Sequence, residues 1–262
     1  MFRSFYENFS IIYRYRELIS SLVAKELKAR YRGSTIGAMW TFLNPLLLMM
    51  VYALVFSVYM RIEMENYSVF MFAGLLPWIW FSSSMMDGVN SITSAGALIT
   101  KSLFPAEILP MVKILSNLLN YIFSLPLLFI FMAWYGTAFS MAILWLPFVM
   151  FAQLLFTTGL VYFFSALNVR YRDVQHILGN LLTLWFFMCP ILYPLPMVPQ
   201  NLRFTYYLNP MAALTVGYQD IFIHSKTPDL VSVLIVILVG LGCMLAGFRQ
   251  FERNKETFAE EI

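Results

Sequence analysis

The sequence predicts an all-α integral membrane protein. It has six transmembrane helices, an N-terminal amphipathic helix at the interface, and re-entrant short helices on the outer side between spans five and six. Three observations carry this. Of 262 residues, 60% are hydrophobic and only 12% charged, where a soluble domain is about a quarter charged. The mean hydropathy of +0.73 leaves more apolar surface than a globule of this size could bury. The charges are also segregated. Arg3, Arg14, Arg16, Lys25, Lys28, Arg30 and Arg32 all fall in the first 32 positions, and the next 28 residues, Gly33 to Met60, carry none.

The amino-terminal segment, about Ser10 to Lys25, is not a span. At 100° per residue, Ile11, Ile12, Tyr15, Leu18, Ile19, Leu22 and Val23 share one arc. Arg14, Arg16, Glu17, Ser20, Ser21, Lys25 and Lys28 take the other, and Glu26 breaks the pattern. An amphipathic helix with a basic polar face lies in the plane of the interface. Arg14, Arg16 and Glu17 also interrupt any signal-peptide core.

A crossing helix needs about 20 apolar residues. Six segments are read as spans: Ile36–Met60, Ser68–Val89, Val112–Trp134, Ala142–Leu167, Ile177–Tyr193 and Leu230–Phe248. The 56 uncharged residues from Ile114 to Val169 are too many for one helix, and Tyr135-Gly136-Thr137 divides them. With both termini in the cytoplasm, 14 of 17 basic residues fall inside, leaving Arg61, Arg203 and Lys226 outside. The positive-inside rule supports that orientation. Residues 194–228, between spans five and six, are long yet apolar and broken by Pro194, Pro196, Pro199 and Asn209-Pro210. Each apolar piece is too short to cross. Broken backbone at membrane depth must pack on protein or line a cavity, so this region reads as a re-entrant pair capping the outer end of a path.

No catalytic signature is present. His176 and His224 have no carboxylate or cysteine at ligand spacing, and Cys189 and Cys243 sit in apolar runs with neither metal nor disulfide spacing. Lys101-Ser102 resembles the end of a phosphate loop, but Ala95 and Thr100 stand where that motif needs glycine. The expectation is therefore that the chain is not an enzyme, holds no metal or cofactor, and does not bind ATP itself. Asp87 is the one acid flanked on both sides by apolar span sequence. It is read first as a residue near the cytoplasmic boundary that reaches water or pairs with a base. The cytoplasmic loop 95–111 places Leu103, Phe104, Ile108 and Leu109 around Pro105 and Pro110. That is either a short helix seated on a partner, oriented by Lys101 and Glu107, or a segment folded back on the bundle. Trp78, Trp80, Trp134 and Trp145 are expected in interfacial belts. Tyr52, Phe56 and Tyr59 share one face of the first span at i, i+4 and i+7. Such a stripe either forms a track on which sugar rings stack or packs against lipid and neighbouring helices.

The run LVAKELKARYRGSTIGAMWTFLNPLLLMMVYALVF, from Leu22, resembles the opening of type-2 ABC transporter permeases of the polysaccharide exporter family. These are the transmembrane subunits for O-antigen, capsule or teichoic acid export. Similar motifs follow in order: GLLPWIWF (Gly74–Phe81), KSLFPAEILP (Lys101–Pro110), NVRYRD (Asn168–Asp173), CPILYP (Cys189–Pro194) and YLNP (Tyr207–Pro210). The resemblance implies a homodimer in the bacterial inner membrane with two separate ABC ATP-binding subunits, which use the ATP and Mg. It implies a lipid-linked polysaccharide substrate, most often O-antigen, and no nucleic acid. By the same resemblance, residues 1–32 form the interface helix, 33–248 the transmembrane domain and 249–262 a cytoplasmic tail. Lys101, Phe104, Pro105 and Glu107 would couple to the ATPase. Tyr193, Pro194, Asn209 and Pro210 would shape the outer gate. Arg30 and Arg32 would meet a lipid diphosphate, since guanidinium suits phosphate through paired donors; otherwise they are ordinary positive-inside arginines. Export of a drug or small lipid, or an integral-membrane glycosyltransferase, remains open at this point.

Overall fold

The computed structural model describes residues 10–61, 64–96, 99 and 104–261, and all regular structure among them is helical. Helix α1 (Arg16–Arg30) follows a helical stretch at 10–14, from which it is separated by a break at Tyr15. Helix α2 (Trp40–Ala53) is entered through a 3-10 turn at Gly37–Met39 and leaves as a π-helix, Leu54–Tyr59. Then come α3 (Tyr67–Val89), α4 (Ile108–Trp134), α5 (Leu146–Arg170) and α6 (Val174–Phe187). The remaining helices are α7 (Phe204–Tyr207), α8 (Pro210–Phe222), α9 (Leu230–Asn254) and α10 (Phe258–Glu261).

Five helical segments among the described residues are long and apolar enough to cross a membrane: Gly37–Tyr59, Tyr67–Val89, Ile108–Trp134, Met141–Arg170 and Leu230–Asn254. They coincide with five of the six expected spans. The fifth expectation, Ile177–Tyr193, differs. Helix α6 has 14 residues, about 21 Å of helix against a hydrocarbon core of about 30 Å. It stops because Pro190 cannot continue it.

The core forms around α3. In its apolar window 78% of residues are buried, against 11% for the α2 segment. Gly74 lets α8 approach, so that a Cβ there would stand 3.0 Å from Thr215 Cγ2. Trp78 and Trp80, expected in a belt, are 6% and 1% exposed. They lie in the middle of α3, where neighbouring helices meet it on all sides, whereas Trp134 at the end of α4 is 85% exposed. The tightest helix pair is α5 with α9. A Cβ on Gly159 or Gly247 would collide with the partner backbone, at 2.4 Å from Met244 N and 2.3 Å from Gly159 O respectively. Small residues permit such approach where lipid offers no hydrophobic drive.

Helix α1 lies against α4, burying Ile19 and Val23 on Ile108 and Val112. The whole expected apolar arc is buried or half-buried and the polar arc exposed. Glu26, the residue that broke the pattern, turns toward α4 and pairs with Lys113 Nζ at 2.6 Å.

The broken region after α6 satisfies its backbone through side chains, as water-free surroundings require. Tyr193 Oη donates to Phe187 O (2.8 Å), Gln219 Nε2 to Pro190 O (2.7 Å) and Tyr67 Oη to Leu192 O (2.8 Å). Asn209 caps α8, its Oδ1 accepting from Met211 N, Ala212 N and Trp185 Nε1. Asn168 does the same work at the other end of α6. Its Nδ2 donates to Val89 O at 3.2 Å while its Oδ1 accepts from Gln175 N at 3.2 Å.

Candidate functional site

Four groups of residues were singled out from sequence, and the fold treats each differently. The aromatic stripe on α2 is not one face. Met60 N bonds Val55 O at 2.9 Å, five residues back, so the π register rotates everything beyond Ala53 relative to an α-helix. Tyr52 stacks on Phe186 of α6, ring centroids 5.5 Å apart. It lines a groove with Trp78, Ser82, Asp87, Thr183 and Phe187. Phe56 is half-buried against the core, while Tyr59 is 75% exposed. The run LVFSVY contains no proline or glycine that would announce the π turn.

The two arginines also part company. Arg30 Nη2 sits 2.9 Å from Asp87 Oδ2, and its Nη1 donates to Asn117 Oδ1 at 3.0 Å. Asn117 Nδ2 closes the triangle by donating to the same Asp87 Oδ2 at 3.0 Å. The end-of-span acid thus has the basic partner expected for it, and the Arg30 guanidinium is committed inside the chain. Arg32 is exposed, beside Lys25, Lys28 and Ser21 on the polar face of α1.

The coupling segment is split between surface and interior. Lys101 and Leu103 lie outside the described residues. Phe104 and Pro105 are half-buried, but Glu107 is 5% and Ile108 0% exposed. Glu107 Oε1 is 3.3 Å from Lys255 Nζ, and its backbone carbonyl accepts from Tyr162 Oη. Tyr162 is in turn enclosed by Phe248 and Phe251, and Phe251 by Phe258. This part of the loop therefore packs back on the bundle, and the carboxyl-terminal tail holds it there. Burial works against the Lys255 ammonium, but the carboxylates of Glu252 and Glu107 outweigh it and raise the pKa above 10.5. A raised folded-state value means that this contribution is complete below the ordinary lysine pKa. It is lost only as pH climbs through the folded one, so the brace is intact at neutrality.

The outer candidates occupy the seam between α6 and α8. Tyr193 and Asn209 are bound to backbone as described, Pro194 precedes the turn Leu195–Met197, and Pro210 opens α8. All four shape the chain.

What sequence reasoning passed over is a set of amides in largely apolar helices: Asn44, Asn117, Asn120, Gln153, Asn168 and Gln219. The available signal was polarity itself, because such a group at membrane depth must find a partner. Gln153 Nε2, for instance, donates to Pro77 O at 2.8 Å. Three of the six face a cavity of about 350 Å³ between α2, α3 and α4, roofed by Arg30 and Tyr31. Asn44, Asn117 and Asn120 line it with Ser34, Thr41, Ser83, Ser124, Trp40 and Trp80. No group of three or more His, Cys, Asp or Glu among the described residues could hold a metal.

The ABC-2 type transporter model matches residues 17–223. The O-antigen export system permease protein RfbA of Myxococcus xanthus is 45% identical over 253 residues, which are 96% of this chain and 97% of the relative. Two proteins of the same name from Klebsiella pneumoniae are 31% and 30% identical over 245 residues, 93% of this chain and 94% of each relative. A helical membrane fold, a family match across most of the chain and relatives aligned over nearly their full length converge: the chain belongs to the ABC-2 type transporter family.

Proposed function

We propose that the protein is the permease subunit of an ATP-driven exporter that carries lipid-linked O-antigen polysaccharide across the bacterial inner membrane. The observation that carries this is the 45% identity, over 96% of the chain, to a permease named for O-antigen export. In this reading two copies associate, with one ABC ATP-binding subunit beneath each, and both termini face the cytoplasm. The poorly covered α2 and its π-helical continuation, with Leu47, Val51, Leu54 and Val58 exposed, and the outer face of α6 supply apolar surface for the second copy. Helix α6 and residues 188–193 make the fifth crossing. Helices α7 and α8, within 194–228, form a re-entrant outer gate held by Tyr193, Pro194, Asn209 and Pro210.

The work divides along the chain. Residues 1–32 form the interface element, 33–248 the transmembrane domain and 249–262 the tail. Arg32, with Lys25 and Lys28 nearby, meets the diphosphate of the carrier lipid through charge-assisted bonds; Arg30 supports it from the Asp87 pair. Tyr52 in its groove and, beyond the π turn, Phe56 and Tyr59 meet the sugar chain at separate points of its outward path, by stacking rather than tight binding, as a moving polymer requires. Closure of the ATPase dimer pushes on loop 95–111 through Lys101, Phe104 and Pro105, while Glu107 ties that segment to the bundle. No ATP or metal is bound by this chain.

Deletion of the gene in its own host, followed by complementation, tests the reading. Surface polysaccharide should disappear, lipid-linked polymer should accumulate inside, and the tagged permease should co-purify with an ATP-binding subunit. Undiminished surface polymer in the deletion strain overturns it.

A further inference from the structure

The cavity between α2, α3 and α4 has no part in the coupling path or the outer gate, yet its wall is chemically unusual for its depth. It is lined by three carboxamides, several hydroxyls and two indoles, from four consecutive parts of the chain. Its only charged lining residue, Arg30, is neutralised by Asp87. Most of the polar wall is internally satisfied. Tyr31 Oη and Thr41 Oγ1 share a hydrogen bond of 2.7 Å, Trp40 Nε1 donates to Ser34 Oγ, and Ser124 Oγ donates to Asn120 O. Three groups are not. Neither Oδ1 nor Nδ2 of Asn120 finds a partner among the described residues, although both atoms are buried. The same holds for Nε1 of Trp80, a side chain 1% exposed, and for Oη of Tyr121 on the same wall. Burying such groups unpaired carries a desolvation cost, which a polar guest met by a small turn of these side chains toward the cavity would remove.

The wall also says which guest. A phosphate would need surplus positive charge, and the Arg30–Asp87 pair leaves none. An amide offers one donor and one acceptor side by side, matching two neighbouring hydroxyls, and the hydroxyl rim adds further bonds of either polarity. Trp40, half-buried on the wall, presents an aromatic ring. A volume near 350 Å³ lies at the lower end of small-ligand sites, which run from about 300 Å³. These are the features of a neutral, many-hydroxyl ring.

We propose that this cavity is a binding site for a pyranose unit of the exported glycan, held chiefly by Asn120 with Trp80 Nε1, immediately inward of the basic face of α1. The inference rests on the exporter reading, and it adds a discrete sugar site, separate from the Tyr52 groove. Ser83 and Ile79 line both spaces, so α3 is the partition between them.

The test uses the full-length permease in cells that make the polymer. A photoreactive benzoyl-phenylalanine replaces Asn44, on the exposed rim of the cavity, or, as a control, Tyr52 in the groove. Illumination should attach polysaccharide to both, seen as a glycan ladder on the purified subunit and absent from cells that cannot make polymer. Capture at Tyr52 without capture at Asn44, or only phospholipid adducts at Asn44, overturns the sugar site and leaves the exporter reading standing. Capture at neither position, together with surface polymer persisting in the deletion strain, removes the exporter reading itself. As an independent arm, Asn120→Leu should lower export roughly tenfold, the factor carried by about 1.4 kcal/mol. Asn120→Gln should restore part of it at equal membrane abundance. Unchanged export in Asn120→Leu counts against the proposal.

Discussion

At the scale of single residues, the Arg30–Asp87–Asn117 triangle joins α1 to α3 and α4. The two charged side chains are 28% and 38% exposed, so water screens the pair and its worth falls below that of a buried ion pair. Removal is asymmetric. Arg30→Ala leaves Asp87 with Asn117 as its hydrogen-bond partner near the membrane boundary and should cost about 1–2 kcal/mol. Asp87→Asn keeps a hydrogen-bonding group in place and should cost under about 1 kcal/mol. Combining Arg30→Ala with Asp87→Ala should recover part of the loss, a coupling seen as non-additive shifts in thermal midpoint of the detergent-solubilised protein. Strictly additive shifts would mean that the two side chains do not interact.

Among elements, the α5–α9 pair has the least slack. Gly247→Leu drives a side chain onto Gly159 O, already 2.3 Å from a bare Cβ. The helices must separate, at a cost of about 1–3 kcal/mol or more. Gly242 in the same helix meets nothing within 4 Å, so Gly242→Ala should be neutral or stabilising by up to about 1 kcal/mol, because alanine favours helix. Size-exclusion profiles and thermal midpoints of the two variants separate the effects. Equal behaviour would mean that the close approach is not needed. Hydropathy foretold the start of α9 at Leu230 but not its continuation past Phe248 to Asn254, and two glycines read alike in sequence. Only the neighbour decides which of them touches a backbone.

For the whole molecule, the proposed six crossings with both termini inside predict a definite labelling pattern. A cysteine replacing Ser225, in the turn between α8 and α9, should react with a membrane-impermeant maleimide in intact cells with a permeabilised outer envelope. One replacing Lys25 should react only after the inner membrane is opened. Native Cys189 is buried and Cys243 half-buried within α9, which keeps the background low. Reaction of both cysteines from outside would rule out the topology.

How much of this was legible in sequence follows from the range of each interaction. Hydropathy, basic-residue placement and 100° periodicity are properties of contiguous chain. They determined by themselves the helical membrane class, the spans that became α2, α3, α4, α5 and α9, and the face on which α1 rests. Pro190 marks the early ending of α6, although the apolar run continues past it. The π turn that scatters Tyr52, Phe56 and Tyr59 has no proline or glycine to announce it, and the burial of Trp78, Trp80 and Glu107 depends on groups far away in sequence, as Lys255 on Glu107 shows. The triad that occupies Arg30 and the amide-lined cavity beside it were likewise decided only in three dimensions. A low-dielectric interior obliges every polar group to seek a partner, and the fold alone determines which partners are within reach.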